Sequence, residues 1–199
     1  DPTFMKPNWQ KMYVFDVLDA NDVDYNQVLI VDVDTMIKWD TPNFFNMTDG
    51  EFSAVVDQDN IGWVVQSIKA YQHMFPDVKL DWTDYFNCGF VVLNEKHKEL
   101  CKSIINFWES NEIELTMLQM TVSKGTDQTP VNMMVHTNNI DLKLLPYEYN
   151  MQDMTRFEVL GQDMLHTKYG WVYHFNAGVK PSPGVWLENT YKFLYDNIV

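Results

Sequence analysis

Val28-Leu29-Ile30-Val31 is a continuous apolar run that ends in Asp32-Val33-Asp34. A run without alternation offers no polar face to water, so it suits a strand buried on both faces, as in α/β proteins. Phe52–Val56, which ends at Asp57, and Phe86–Leu93 read the same way, as do 142–145 and 171–175. Segments of helical period separate them. Pro7–Leu18 carries Trp9, Met12, Tyr13 and Val17 at three- and four-residue steps, and Ile61–Phe75 is stopped by Pro76. Glu95–Glu109 places Leu100, Ile104, Phe107 and Trp108 on one stripe. Asp127–Val135 resumes as helix after a break at Gly125, and a closing helix begins near Trp186. Thr41-Pro42 reads as a cap followed by proline at a first helical position. Strand and helix in alternation predict an α/β layered domain, with a mainly parallel sheet flanked by helices. The 199 residues fit one domain with one hydrophobic centre, large enough to need no staples.

Charge narrows the partners. Twenty-eight acidic against fourteen basic residues give a net charge of −14, which disfavours nonspecific binding to nucleic acid, because phosphate neutralisation needs clustered cations. No apolar stretch is long enough to span a membrane. Cys88 and Cys101 are too few for a disulfide scaffold and fit a reducing compartment or plain packing, so a cytoplasmic location is expected. The chain opens on Asp1 with no targeting segment, which reads as a processed chain or as part of a longer one.

Asp32 and Asp34 are the first candidates for chemistry. They flank one residue at the C-terminal end of a strand, where ligands of open α/β sheets gather. Side chains at i and i+2 share a face, so the carboxylates repel unless a positive group lies between them. A divalent cation would supply that charge and bridge to a diphosphate. The plainer account is a solvated Asp32 and an Asp34 that caps the next turn. His174, near a strand end and before Lys180, would add an imidazole that favours Mn²⁺ over Ca²⁺. Lys180 would act as a point charge on phosphate. Taken singly, a core histidine and a surface lysine account for both.

Taken in order, the motifs resemble family 8 glycosyltransferases, the glycogenin and bacterial galactosyltransferase group with the GT-A fold. They are a helix with Lys11, Val31-Asp32-Val33-Asp34-Thr35, Phe86-Asn87-Cys88-Gly89-Phe90, Asp127-Gln128-Thr129-Pro130-Val131-Asn132, and His174-Phe175 with Lys180-Pro181. The resemblance runs from about Trp9 to Pro181 and implies a metal-dependent enzyme. That enzyme would move a hexose from a UDP-sugar to a carbohydrate or protein hydroxyl, with retention. Asp32, Asp34 and His174 would hold Mn²⁺, with Mg²⁺ as the alternative, and Asp32 would also lie near the ribose. Lys180 would bind the diphosphate, and Lys11 would meet the nucleotide or sugar. Asn87 and Gly89 would line the donor-sugar pocket. Asp127 and Gln128 would lie beneath the anomeric centre.

Several positions depart from that pattern. Cys88 stands where the family often has Ser, and Ser182 follows Pro181 where Trp is usual. The loop after His174 is one residue longer, and that from Asp19 to Asn26 is about five longer. The nucleotide-binding strand and helix that open the family's domain have no counterpart, so residues 1–199 read as its C-terminal two-thirds. Two other readings remain. One is a non-catalytic binding or structural protein on a degenerate GT-A fold. The other is a metal-dependent phosphohydrolase, disfavoured because no second acidic cluster is evident. Among the aromatics, Trp63, Tyr71 and Trp108 fall at core spacing, whereas Trp39, Trp82 and Trp186 are candidates for acceptor stacking.

Overall fold

Four of the apolar runs form one sheet. A computed structural model describes residues 5–58, 61–122, 127–152, 154, 160–176 and 180–196. In it β1 (Val28–Val31), β4 (Phe86–Leu93), β3 (Phe52–Val56) and β5 (Leu142–Leu145) lie side by side in that order. A second, two-stranded ribbon pairs β2 (Thr35–Ile37) with β6 (Val172–His174), antiparallel, with Thr35 opposite His174.

The layering is as expected, but the strand directions are not. Among the described strands only β3 and β5 run parallel, and β4 is antiparallel to both β1 and β3. An unbroken apolar run reports burial on two faces and carries no information on direction. β4 shows this, since all eight of its residues are buried. β1 differs again. It lies at an edge of the described sheet, and only Ile30 is buried, while Val31 is 38 % exposed.

Helices cover one face. The single predicted helix 7–18 is three pieces: α1 (Pro7–Gln10), a 3-10 turn (Lys11–Tyr13) and α2 (Val14–Ala20). α3 (Ile61–Tyr71) ends before a 3-10 turn over Gln72–Met74. α4 (Lys98–Val122) runs well past Glu109 and kinks at Asn111, whose side-chain amide donates to the Phe107 carbonyl at 2.8 Å. α5 (Gln128–Thr137) is buried along most of its length. α6 (His166–Tyr169) is one turn, and α7 (Pro183–Asp196) closes the described chain. Thr41 opens no helix. Its hydroxyl donates to the Lys38 and Trp171 carbonyls, and Asn43 caps the 3-10 turn Phe44–Met47 instead. Gly125 lies outside the described residues.

The largest core fills the space between α1–α5 and the sheet, and includes Trp108, Tyr71 and Ile104. Full burial of an aliphatic side chain such as Ile104 contributes about 1.5–3 kcal/mol. One centre was expected, and two smaller ones join it. Phe44, Phe90, Val92 and Leu145 pack together in the second, and Tyr173, Phe175 and Leu194 in the third. Trp186 packs against the third and is half-buried.

Just after β4, Asn94 and His97 form a reciprocal cap. The Asn94 N–H donates to His97 Nδ1 at 3.0 Å, and the Asn94 side chain accepts from the Lys96 N–H. Burial is the main cause that holds the His97 imidazole below its ordinary pKa. The neutral ring is the one that folds, so its contribution is whole above the ordinary value of about 6.5. It is lost as the unfolded chain takes up a proton below that value. Thermal melts should therefore show less loss of stability from pH 7.5 to 5.5 in His97→Gln than in the parent chain, and equal losses would contradict this.

Candidate metal and donor site

The site forms where β1 ends, beside an irregularity in β4. Along β3, Ala54 pairs with Val91 but Val55 pairs with Asn87, so residues 88–90 of β4 stand out of register. Such bulges re-aim side chains and bend a strand. Here the bulge turns the Cys88 and Gly89 backbone toward the end of β1. The Gly89 carbonyl accepts from the Asp32 N–H at 3.0 Å, and the Cys88 carbonyl accepts from Lys11 Nζ at 2.9 Å.

β6 delivers the imidazole. His174 Nε2 lies 3.2 Å from an Asp34 oxygen and 3.9 Å from an Asp32 oxygen, with the ring almost wholly buried. One ligand atom from each of the three side chains falls within 4.8 Å of the others. Two carboxylates and one imidazole nitrogen on one point form a donor set suited to Mn²⁺ and similar divalent ions. Burial alone would raise the Asp34 pKa, but the hydrogen bond and charge of His174 outweigh it and hold Asp34 below the usual carboxylate range. The expected three residues are therefore brought together.

Space for the ring comes from Gly89. A Cβ there would meet His174 Cε1 at 2.2 Å, His174 Nδ1 at 2.7 Å and the Asn87 amide oxygen at 2.8 Å. Glycine is required at this position for close approach, with no left-handed backbone involved.

Lys11 occupies the centre of the acidic group. Its ammonium lies 3.1 Å from Asp32 and 3.0 Å from Asp127, and all three side chains come from different elements. Burial alone would lower its pKa, but the charges of Asp127 and Asp32 more than offset that and hold it above its ordinary range. Asn8 donates to the other Asp127 oxygen at 3.0 Å. Asp127 immediately precedes α5 and is buried, and its side chain makes no cap bond to that helix.

A buried amide network adjoins it. Gln128 Nε2 donates to Asp57 at 2.6 Å, while Gln128 Oε1 accepts from Asn87 Nδ2 at 3.1 Å. The Asn87 oxygen accepts from the Gly89 N–H and from Asn150, so both ends of this amide are occupied. Asp57, Asn150 and Asn8 were not singled out by the sequence. Asp57 at the end of β3 was the one legible signal, because it repeats the pattern of an acid closing an apolar run.

Lys180 does not join the cluster. It is exposed, and its ammonium has no hydrogen-bond or ion-pair partner among the described residues. Part of the loop after His174 lies outside those residues, including Ala177 and Gly178 of its extra length. Burial pushes both thiols up, Cys101 to about 12, which fits packing and not nucleophilic chemistry.

A helix-backed α/β sheet with two carboxylates and an imidazole gathered at one end has the layout of the GT-A transferases, and solved structures of that class share the fold. The bifunctional glycosyltransferase WbbM matches at TM-score 0.50 and 15 % identity, over 95 % of this chain and 37 % of its own. The glycosyltransferase GlyE of Streptococcus pneumoniae TIGR4 matches at 0.51 and 13 %, over 91 % of this chain and 42 % of its own. Mouse xyloside xylosyltransferase 1 matches at 0.50 and 14 %, over 86 % and 64 %. This chain therefore spans less than two thirds of each. No curated protein matches it. It belongs to glycosyl transferase family 8, whose model matches residues 3–190. No helix among the described residues is long and apolar enough to cross a membrane.

Proposed function

We propose that this chain carries the metal and sugar-transfer machinery of a retaining glycosyltransferase, which moves a hexose from a UDP-sugar to a hydroxyl acceptor. Residues 1–199 would then be part of one catalytic domain, and a cytoplasmic location belongs to the same proposal. The observation that carries the reading is the convergence of Asp32, Asp34 and His174 within 4.8 Å, beside the Lys11–Asp127 pair. Bound Mn²⁺ would supply Lewis-acid stabilisation of the departing diphosphate.

The protein's own groups have distinct tasks in this scheme. In transfer, the acceptor oxygen bonds to the anomeric carbon as the bond from that carbon to the diphosphate breaks. UDP leaves with the electron pair, and the acceptor proton passes to the departing phosphate oxygen. Asp127 faces the developing positive charge on the sugar, in a buried setting where a fixed carboxylate interacts more strongly than in water. Lys11 holds Asp127 and Asp32 in place and offsets their repulsion. Asp57, Gln128 and Asn87 fix one another, which presents a rigid polar wall for sugar hydroxyls. Lys180, exposed on the loop that follows His174, is assigned to the diphosphate.

Mn²⁺ titration with UDP present tests the site. In Asp34→Ala the affinity should fall by at least about 100-fold, more than is typical for loss of a supporting hydrogen bond. Equal affinity in parent and variant would remove the metal assignment. Tight metal binding with no UDP release from UDP-glucose or UDP-galactose, in a protein that also carries the nucleotide-binding strand and helix, would favour the non-catalytic reading.

A further inference from the structure

A second surface near the metal cluster has the chemistry of a sugar-binding groove. β2 leaves Asp34 directly, and its outer side forms an open groove of about 680 Å³ with α7. Thr35, Ile37, Trp39, Glu188, Tyr191 and Tyr195 line it. Trp39 is 57 % exposed, Tyr191 51 % and Tyr195 56 %. Large rings are usually covered, so three exposed ones on a single groove mark an interaction site.

We infer that this groove binds a neutral oligosaccharide, as a remote subsite for the glycan that accepts the transferred sugar. Tyr191 and Tyr195 are one helical turn apart and stack at 4.8 Å with their planes 34° apart, which makes a nearly continuous shelf. Pyranose rings present flat C–H faces that pack on such a shelf, and the mutually hydrogen-bonded Tyr191 and Tyr195 hydroxyls with the second Glu188 oxygen form its polar rim. The lining holds one carboxylate, Glu188, and Lys192 neutralises it. No cation of the lining is left to attract phosphate or an anionic membrane.

Position favours the acceptor. Thr35 follows the metal-binding Asp34 and pairs across the ribbon with His174, so the groove begins one residue from the cluster. The Thr35 hydroxyl is buried there without a hydrogen-bond partner among the described residues. A second copy of the chain is the less suitable occupant, because each carries a net charge of −14. The assignment to an acceptor rests on the transferase reading above, whereas sugar binding by the groove does not.

The test uses maltohexaose, cellohexaose and chitohexaose as probes, followed by saturation-transfer NMR and tryptophan fluorescence on the whole chain. At least one should bind, and Trp39→Ala and Tyr195→Ala should each weaken it tenfold or more with unchanged thermal stability. The same variants should raise KM for that hexasaccharide as acceptor, while UDP-dependent Mn²⁺ affinity and hydrolysis of the donor by water stay as in the parent. Absence of binding to all three, or equal binding in the variants, overturns the groove. So does a concentration-dependent dimer that Trp39→Ala dissolves. Groove-dependent sugar binding in a protein that also carries the nucleotide-binding strand and helix, yet neither binds Mn²⁺ with UDP nor cleaves a donor, would sink the transferase reading and leave the groove standing.

Discussion

Asp127→Asn should lower turnover, followed as UDP release, by about 100- to 1000-fold, the range seen when one preorganised electrostatic group is removed. Mn²⁺ and UDP binding should change only a few-fold. The substitution keeps the shape of the side chain. An asparagine can turn its oxygen to Lys11 and its amide to a flipped Asn8, so Lys11 and Asn8 both remain served. Lys11 also keeps Asp32 and the Cys88 carbonyl, so it is not left as a buried unpaired charge. In the proposed role, what would be lost is a negative charge facing a cation that exists only near the transition state, and such a loss falls on kcat. Lys180→Ala should instead weaken UDP binding as well as rate, because the diphosphate contact proposed for it would form in the ground state too. Full turnover in Asp127→Asn would take Asp127 out of the mechanism.

Much of the site was legible because its residues are punctuation marks. Asp32 and Asp34 follow an apolar run and His174 lies near the end of another, and the β2–β6 ribbon brings the two together. The order of the motifs did the rest. Sequence could not show which partners each side chain would find. Lys11 fits any surface lysine until the chain folds it between Asp32 and Asp127. The two-carboxylate problem was read as a demand for a metal alone, but a buried ammonium already meets part of it. Strand direction was also hidden, since Phe86–Leu93 is equally apolar in either orientation. The exposure of β1 escaped for the same reason, as Val31 looks like a core residue in any window.

The fold's least visible feature was the register shift in β4, and it gives the prediction with the broadest consequences. Gly89→Ala should abolish measurable Mn²⁺ binding and lower stability by about 1–3 kcal/mol, the usual cost of overpacking. The new methyl group would overlap His174 Cε1 at 2.2 Å and the Asn87 oxygen at 2.8 Å, and neither neighbour can move freely. His174 is fixed by its place in β6, where its N–H donates to the Met151 carbonyl at 2.9 Å. Asn87 is held by the Gly89 N–H and Asn150 at one end and Gln128 at the other. Relief must come from swinging the imidazole away from Asp32 and Asp34, which dismantles the donor set, or from opening the bulge. The double variant Gly89→Ala/His174→Ala separates these routes. Removing the ring gives the methyl group space, so melts should show stability regained while Mn²⁺ titration shows no recovery. A Gly89→Ala chain that melts and binds Mn²⁺ like the parent would mean that the β4 bulge does not set the position of His174.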